Sequence, residues 1–101
     1  MARESSAVTI THEDRGERGR YVATVAGSEH TGRLDWEAGG GNVRIAAHTF
    51  VPPQIGGRGV AARLVEALVA DARAHGFRID PRCSYVEAMF RRHKDWADLR
   101  A

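Results

Sequence analysis

A glycine-rich segment in the middle of the chain has the composition of a phosphate-binding loop. It reads Gln-Ile-Gly-Gly-Arg-Gly-Val-Ala over residues 54–61, between an apolar strand pattern and a helical pattern. The N-terminus of a helix has unpaired backbone N–H groups and a partial positive charge, and glycines before it let an anion approach the backbone. The segment is therefore a candidate phosphate or pyrophosphate site. The alternative is that Gly56, Gly57 and Gly59 only turn the chain from strand to helix.

Known phosphate-binding motifs match this segment to different degrees. A Walker A loop needs Gly-Lys-Ser/Thr, where this chain has Gly59-Val60-Ala61, so that motif is excluded. The dinucleotide pattern Gly-x-Gly-x-x-Ala fits residues 57–62, and Asp80 ends the next strand, where a ribose-binding acid would stand. That pattern needs a glycine directly after its strand and a parallel sheet. Residues 52–56 intervene here and the upstream strands look antiparallel, which disfavours it.

Two side chains have the chemistry of proton transfer or nucleophilic attack. His48 lies on the fourth predicted strand, on the face that strict alternation assigns to Arg44 and Ala46, and a histidine there can act as a general base. Cys83 lies at the start of the second predicted helix beside Arg82, and both features favour the thiolate. The alternatives are a structural histidine on a sheet face and a small buried apolar cysteine.

Other polar residues carry weaker signals. Arg92 and His93 end the second predicted helix, where they either reach a phosphate group or complement the helix dipole. The remaining histidines, His12, His30 and His75, show no metal-ligand spacing, so we predict no metal site.

The first half of the chain has the residue patterns of β-strands, and these strands must position the candidate groups. Short runs of alternating apolar and polar residues are separated by glycine-containing turns, such as Gly27-Ser28, and by a charged loop over Glu13–Gly19. Short strands with short connections predict an antiparallel meander. The predicted strands are Ala7–His12, Arg20–Ala26, His30–Glu37 and Asn42–Val51.

The second half changes to a helical period. Apolar residues recur at helical spacing from Val60 to Ala72, and His75 followed by Gly76 predicts the helix end. A short strand over Phe77–Asp80 follows. Ser84-Tyr-Val-Glu87 has the form of a capping box, which predicts a second helix to about His93 and then a short turn at residues 95–99. The predicted class is α+β, mostly antiparallel, with about five strands and two helices in the order β-β-β-β-α-β-α.

Length and composition limit the possible classes of protein. A chain of 101 residues suits a single domain, predicted over residues 1–101 with a core of about 7–99. The one cysteine excludes an internal disulfide framework and a multi-cysteine metal site. No apolar run reaches the length of a membrane span, and the N-terminus lacks the apolar stretch of a signal peptide, so we predict a cytoplasmic protein.

The charge pattern weakly suggests nucleic acid as a partner. The formal net charge is +2 and the pI about 9.2, but 14 arginines and one lysine are interleaved with 13 acidic residues. A phosphate-tracking surface would need several basic residues on one face. A small basic nucleic-acid-binding domain therefore remains only the weakest of the functional alternatives.

The glycine motif and three further blocks together resemble the GNAT superfamily of N-acetyltransferases. Gln54-x-x-Gly57-x-Gly59 resembles the superfamily's acyl-CoA-binding motif, Arg/Gln-x-x-Gly-x-Gly/Ala. With His48-Thr-Phe-Val51 before the loop and the blocks 80–86 and 90–93 after it, the chain resembles minimal single-domain members of that superfamily. The match covers nearly the whole chain. Pro53 departs from it, since an acidic residue is common there in larger relatives.

The resemblance implies an acetyl-CoA-dependent N-acetyltransferase with an unidentified amine as acceptor. It implies that the fourth and fifth strands splay apart to admit the pantetheine arm, and that a backbone N–H near Val51 polarises the thioester carbonyl. His48 would deprotonate the amine, while Cys83 or Tyr85 would protonate the leaving sulfur. The alternative to Tyr85 as an acid is a packed core tyrosine. The implied coenzyme A contacts are Phe50, Val51, Gln54, Ile55, Gly56, Gly57, Arg58, Gly59, Val60 and Ala61.

A non-catalytic CoA-binding module is the main alternative function. It is favoured by the short connection between the first two strands, where full-length GNAT enzymes have helices that wall the acceptor site. Without those helices the acceptor is either large, such as a protein amine, or bound openly. We expect a monomer or weak dimer and no membrane partner.

Overall fold

The computed structural model describes residues 8–101 and contains one mixed five-stranded sheet with helices on one face. The predicted α+β class and the order β-β-β-β-α-β-α are confirmed. Two 3₁₀ segments, Pro53–Ile55 and Lys94–Leu99, precede α1 and follow α2. The strands and helices are β1 (Val8–Asp14), β2 (Arg18–Val25), β3 (Thr31–Ala38), β4 (Val43–Phe50), α1 (Val60–His75), β5 (Arg78–Pro81) and α2 (Ser84–Arg92).

The strands lie in the sheet in chain order. β1 to β4 pair antiparallel, and β5 pairs parallel with β4 because α1 carries the chain back across the sheet. One hydrophobic core lies between the sheet and the helices, with Tyr21, Leu34 and Trp36 from the sheet packed with Leu64 and Leu68 of α1. Among residues 8–101, no helix packs on the other face of the sheet, which is called the open face.

The charged loop predicted over Glu13–Gly19 is shorter than expected. β1 continues to Asp14 and β2 begins at Arg18, and Glu13 pairs across the strands with Arg20. Charged residues are compatible with a strand when their side chains lie on an open sheet face, so their presence did not mark a loop. Ala7, the predicted start of the first strand, lies outside the described residues.

A β-bulge in β4 corrects the predicted face of His48. Asp35 lies opposite His48, whereas the next residue, Trp36, lies opposite Ala46, so Ala47 is the extra residue. Because of this extra residue, the side chains after the bulge point to the opposite face from the one that strict alternation predicts. Ala46 therefore faces the helices, and His48 points to the open face. The expectation that His48 shares a face with Arg44 and Ala46 was wrong.

The helix ends agree only in part with prediction. Gly76 ends α1 in the left-handed conformation, with φ 75°, and its N–H donates to the Ala72 carbonyl as a helix stop requires. The capping box at Ser84 was wrong. Cys83 is the N-cap residue without a side-chain cap bond, and the Glu87 carboxylate instead accepts hydrogen bonds from Arg91 and Arg100. Within the described part of the chain, no helix is long and apolar enough to cross a membrane.

Candidate functional site

The central feature of the site is a stretch of β4 without a neighbour on one side. β5 pairs with β4 only as far as Ala46, and the chain then leaves the sheet at Pro81. The Cys83 N–H donates to the Ala46 carbonyl at 2.9 Å, which is the last backbone hydrogen bond between the two chain segments. Residues 48–50 remain paired with β3 on their other side. The two strands thus splay, as the family resemblance implied.

The glycine loop begins where β4 ends. The 3₁₀ segment Pro53–Ile55 is fixed to the core by Ile55, whose side chain is fully buried. Gly57 and Gly59 have φ of 75° and 72°, the left-handed region that other residues rarely adopt. A Cβ at either glycine would meet nothing within 4 Å. The backbone conformation, and not crowding, therefore requires glycine at both positions.

Backbone donors are concentrated in the second half of this loop. The N–H groups of Ile55 and Gly56 already donate to the carbonyls of Pro52 and Pro53. By contrast, the N–H groups of residues 57–59 have no acceptor among the described residues, and those of the first turn of α1 have none within the helix. No acidic residue lies in that turn. The segment from Gly57 to Ala62 therefore has the charge and the donors to bind an anion.

Cys83 faces the splay from the helix side of the sheet. Its sulfur lies 3.4 Å from Thr49 Oγ1. Partial burial opposes ionisation of the thiol, but the Thr49 hydroxyl and the nearby backbone N–H groups of Tyr85 and Val86 outweigh it and hold the pKa of Cys83 below its usual value. The direction agrees with the prediction from the helix N-terminus. Arg82 does not contribute as expected, because its guanidinium pairs with Asp80 at 2.9 Å.

His48 lies on the other face of the same stretch of β4. Its side chain is exposed and lies directly across from Asp35. It forms no hydrogen bond with any other residue in the range 8–101. The structure therefore brings His48 and Cys83 to the same stretch of strand but on opposite faces, separated by the backbone.

The remaining candidates have different surroundings. Tyr85 is half-buried against the core in the first turn of α2. Phe50 is the exposed end of β4, and the Arg33 guanidinium lies 5.4 Å from the centre of its ring. His93 stacks on Trp96, with ring centres 3.9 Å apart. This packing favours a structural role for His93 over contact with a phosphate group. Gln54 and Arg58 are exposed.

Sequence reasoning missed two residues next to the candidates. Thr49 supplies the hydroxyl beside Cys83, and Asp35 lies opposite His48. Both are separated in sequence from the residues that they approach by more than ten positions, so no local pattern could have paired them. Strict alternation along β4 places Thr49 and His48 on opposite faces, which is correct, but the bulge at Ala47 is not marked by any residue type.

Comparison with known proteins agrees with this architecture. No curated protein matches the chain. A family model described as GCN5-related N-acetyl-transferase matches residues 20–99, from β2 to the end of the last 3₁₀ segment, and so includes the splayed strands, the glycine loop and Cys83. The chain belongs to the GCN5-related N-acetyltransferase family.

Proposed function

We propose that this domain transfers an acetyl group from acetyl-CoA to a primary amine. One observation carries the proposal: the unpartnered stretch of β4 runs directly into the glycine loop, with His48 on one face and Cys83 on the other. A thioester bound along this stretch would have a candidate proton-transfer group on each face of the sheet. Family membership suggests the same activity.

The residues around the splay suit coenzyme A. The free N–H groups of Gly57–Ala62 match the needs of a pyrophosphate, and Arg58 adds an exposed positive charge. The open side of β4 up to Phe50 and Val51 offers backbone groups to an extended polar arm. Gln54 is exposed, whereas Ile55 and Val60 are buried, so these two act through the backbone and through packing.

Each candidate residue then has a defined task. Bound acetyl-CoA would supply an activated acyl group as a thioester. His48 takes the proton from the attacking amine on the open face of the sheet. On the opposite face, Cys83 or Tyr85 holds the proton that the departing sulfur needs. A backbone N–H near Val51 stabilises negative charge on the carbonyl oxygen.

A non-catalytic CoA-binding module is the second candidate. It is favoured by the absence of any side-chain hydrogen bond to His48 among the described residues, since a general base is normally oriented by a partner. In that case the loop and the splay would bind CoA without turnover.

The test is the variant His48→Ala, assayed with saturating acetyl-CoA and a panel of primary amines. We expect turnover to fall by about 100-fold or more, the usual contribution of a general base, with CoA affinity nearly unchanged. His75→Ala, which replaces an exposed histidine at the end of α1, is the control and should keep full activity. Full activity in His48→Ala would remove this residue from the mechanism. CoA binding by the wild-type protein without turnover of any amine would favour the binding module.

Several expectations accompany this proposal. The single domain over residues 1–101, with a core of about 7–99, would carry the whole activity. Its location in the cytoplasm and its state as a monomer or weak dimer stay predictions.

A further inference from the structure

The open face of the sheet contains a groove, and the proposed mechanism uses only His48 of its lining. Its volume is about 810 Å³, and it begins beside His48 and extends toward the β1–β2 turn. The described helices pack against the opposite face of the sheet, so none of them covers this groove. The charged residues that line it include Glu13, Glu17, Arg18, Arg20, Asp35 and Glu37.

One row of side chains crosses the floor of the groove. Glu13, Arg20, Asp35 and His48 lie directly opposite one another on four successive strands. The Asp35 carboxylate pairs with two guanidiniums, through Arg20 Nε at 2.8 Å and Arg33 Nε at 3.3 Å. The row therefore has His48 at one end and the carboxylate of Glu13 at the other, with one net positive charge between them.

The next row and the adjoining turn present free charges of both signs. Arg18 lies opposite Glu37, and Arg15 and Glu17 stand in the turn between β1 and β2. None of these four, nor Glu13, forms an ion pair within the described part of the chain. A ligand with both an acidic and a basic group could thus pair with groups that the fold has left without partners.

The width of the sheet from β1 to β4 is too large for a small acceptor to contact both ends of the groove at once. β1 and β4 are three strand spacings apart, about 14 Å at roughly 4.8 Å per spacing. An extended peptide covers that span with about four residues. A single amino acid is too short to reach from His48 to the turn.

We propose that the groove binds the acceptor, and that the acceptor is a lysine or N-terminal amine of a peptide or protein flanked by charges of both signs. The inference rests on the proposed function, because it takes His48 as the base that meets the amine. The amine lies at the β4 end, and the flanking residues extend toward Arg18, Glu37 and the β1–β2 turn.

The test uses two blocked hexapeptides of identical composition. Each contains one lysine between one aspartate and one arginine, and the two differ only in the order of the charged neighbours. Acetylation rates are compared for wild type, for Arg18→Glu/Glu37→Arg, and for the control Glu66→Arg/Lys94→Glu, which exchanges the same kinds of charge at exposed positions outside the groove. Binding of each peptide without acetyl-CoA is followed by NMR shifts of the protein's backbone amides.

The wild-type protein should acetylate one of the two peptides faster than the other. The double variant Arg18→Glu/Glu37→Arg should shift the ratio of the two rates by about fivefold toward the other peptide, which is the size of effect expected of exposed ion pairs. The control should keep the wild-type preference. Peptide-induced shifts in residues of β1 to β4 would support the groove, and such shifts without any turnover would count against the acetyl transfer. Acetylation of a small uncharged amine, together with no discrimination between peptides and no shifts in these strands, would overturn the groove while leaving the proposed function intact.

Discussion

The Cys83 thiol lies where the last strand ends and α2 begins. At the scale of the single residue, the Thr49 hydroxyl and the N–H groups of the first turn of α2 stabilise its thiolate more than partial burial disfavours it. The thiolate is the nucleophilic form of cysteine. Cys83 should therefore react at a lower pH than an ordinary thiol, whether it serves acyl transfer or only proton transfer.

We expect the rate of Cys83 alkylation by iodoacetamide to rise with pH at a midpoint below that of the same chain unfolded in urea. Thr49→Val removes the hydroxyl and should move the midpoint upward, because one stabilising hydrogen bond is lost. Thr11→Val, on the exposed side of β1, is the control and should leave it unchanged. Equal midpoints in folded and unfolded protein would contradict this account of the thiol.

At the scale of the element, the glycine loop and α1 act together as one anion site. The loop is fixed at Ile55 and leaves its donors free from Gly57 onward. A carboxylate placed among these donors would occupy the site by its own charge and bulk. Gly57 and Gly40 provide a matched pair for the test, because both have positive φ and open space around the missing Cβ.

Gly57→Glu should abolish measurable CoA binding in calorimetry, while Gly40→Glu, in the β3–β4 turn, should bind normally. The backbone strain of the two substitutions is alike, so their stabilities to urea should fall by a similar amount, about 1 kcal/mol. Unchanged CoA affinity in folded Gly57→Glu would refute the assignment of the loop. Equal loss of binding in both variants would trace the effect to general destabilisation.

At the scale of the whole molecule, one polar cluster joins the sheet to α1. The Tyr21 hydroxyl donates to Asp71 Oδ2 at 2.6 Å, and His12 stacks on the Tyr21 ring while its Nε2 accepts a hydrogen bond from the Trp36 indole N–H. Burial, then the hydrogen bond to Asp71, raise the pKa of Tyr21 far above its usual value. The phenol is therefore neutral in the folded protein.

This raised pKa makes stability depend on alkaline pH. The unfolded chain ionises Tyr21 near pH ~10, whereas the folded protein keeps this phenol neutral there, so the free energy of unfolding should be constant with respect to Tyr21 below that pH and fall above it. Urea unfolding at pH 8 and pH ~10.5 measures this. Tyr21→Phe should lose about 1 kcal/mol at pH 8 but decline less between the two pH values. The wild-type decline in Tyr21→Phe would contradict the argument.

The arginines also have a role on this scale. Most of those that form ion pairs bind acids distant in sequence, such as Arg73 with Asp98 and Arg100 with Glu87, and Arg44 lies between the rings of Trp36 and Phe77. These arginines join elements to one another and do not line one basic face.

The sequence by itself determined the order of the elements, the end of α1 at Gly76 and the position of the glycine loop. These features depend on local causes: side-chain period, the φ preference of glycine and the lack of an N–H in proline. Only the tertiary structure decided the face of His48, because the bulge at Ala47 arises from pairing with β3 and has no signature in the strand's own residues. The contact of Thr49 with Cys83 and the row from Glu13 to His48 were decided in the same way. Such contacts depend on register between strands, and register is set by the packing of the whole sheet.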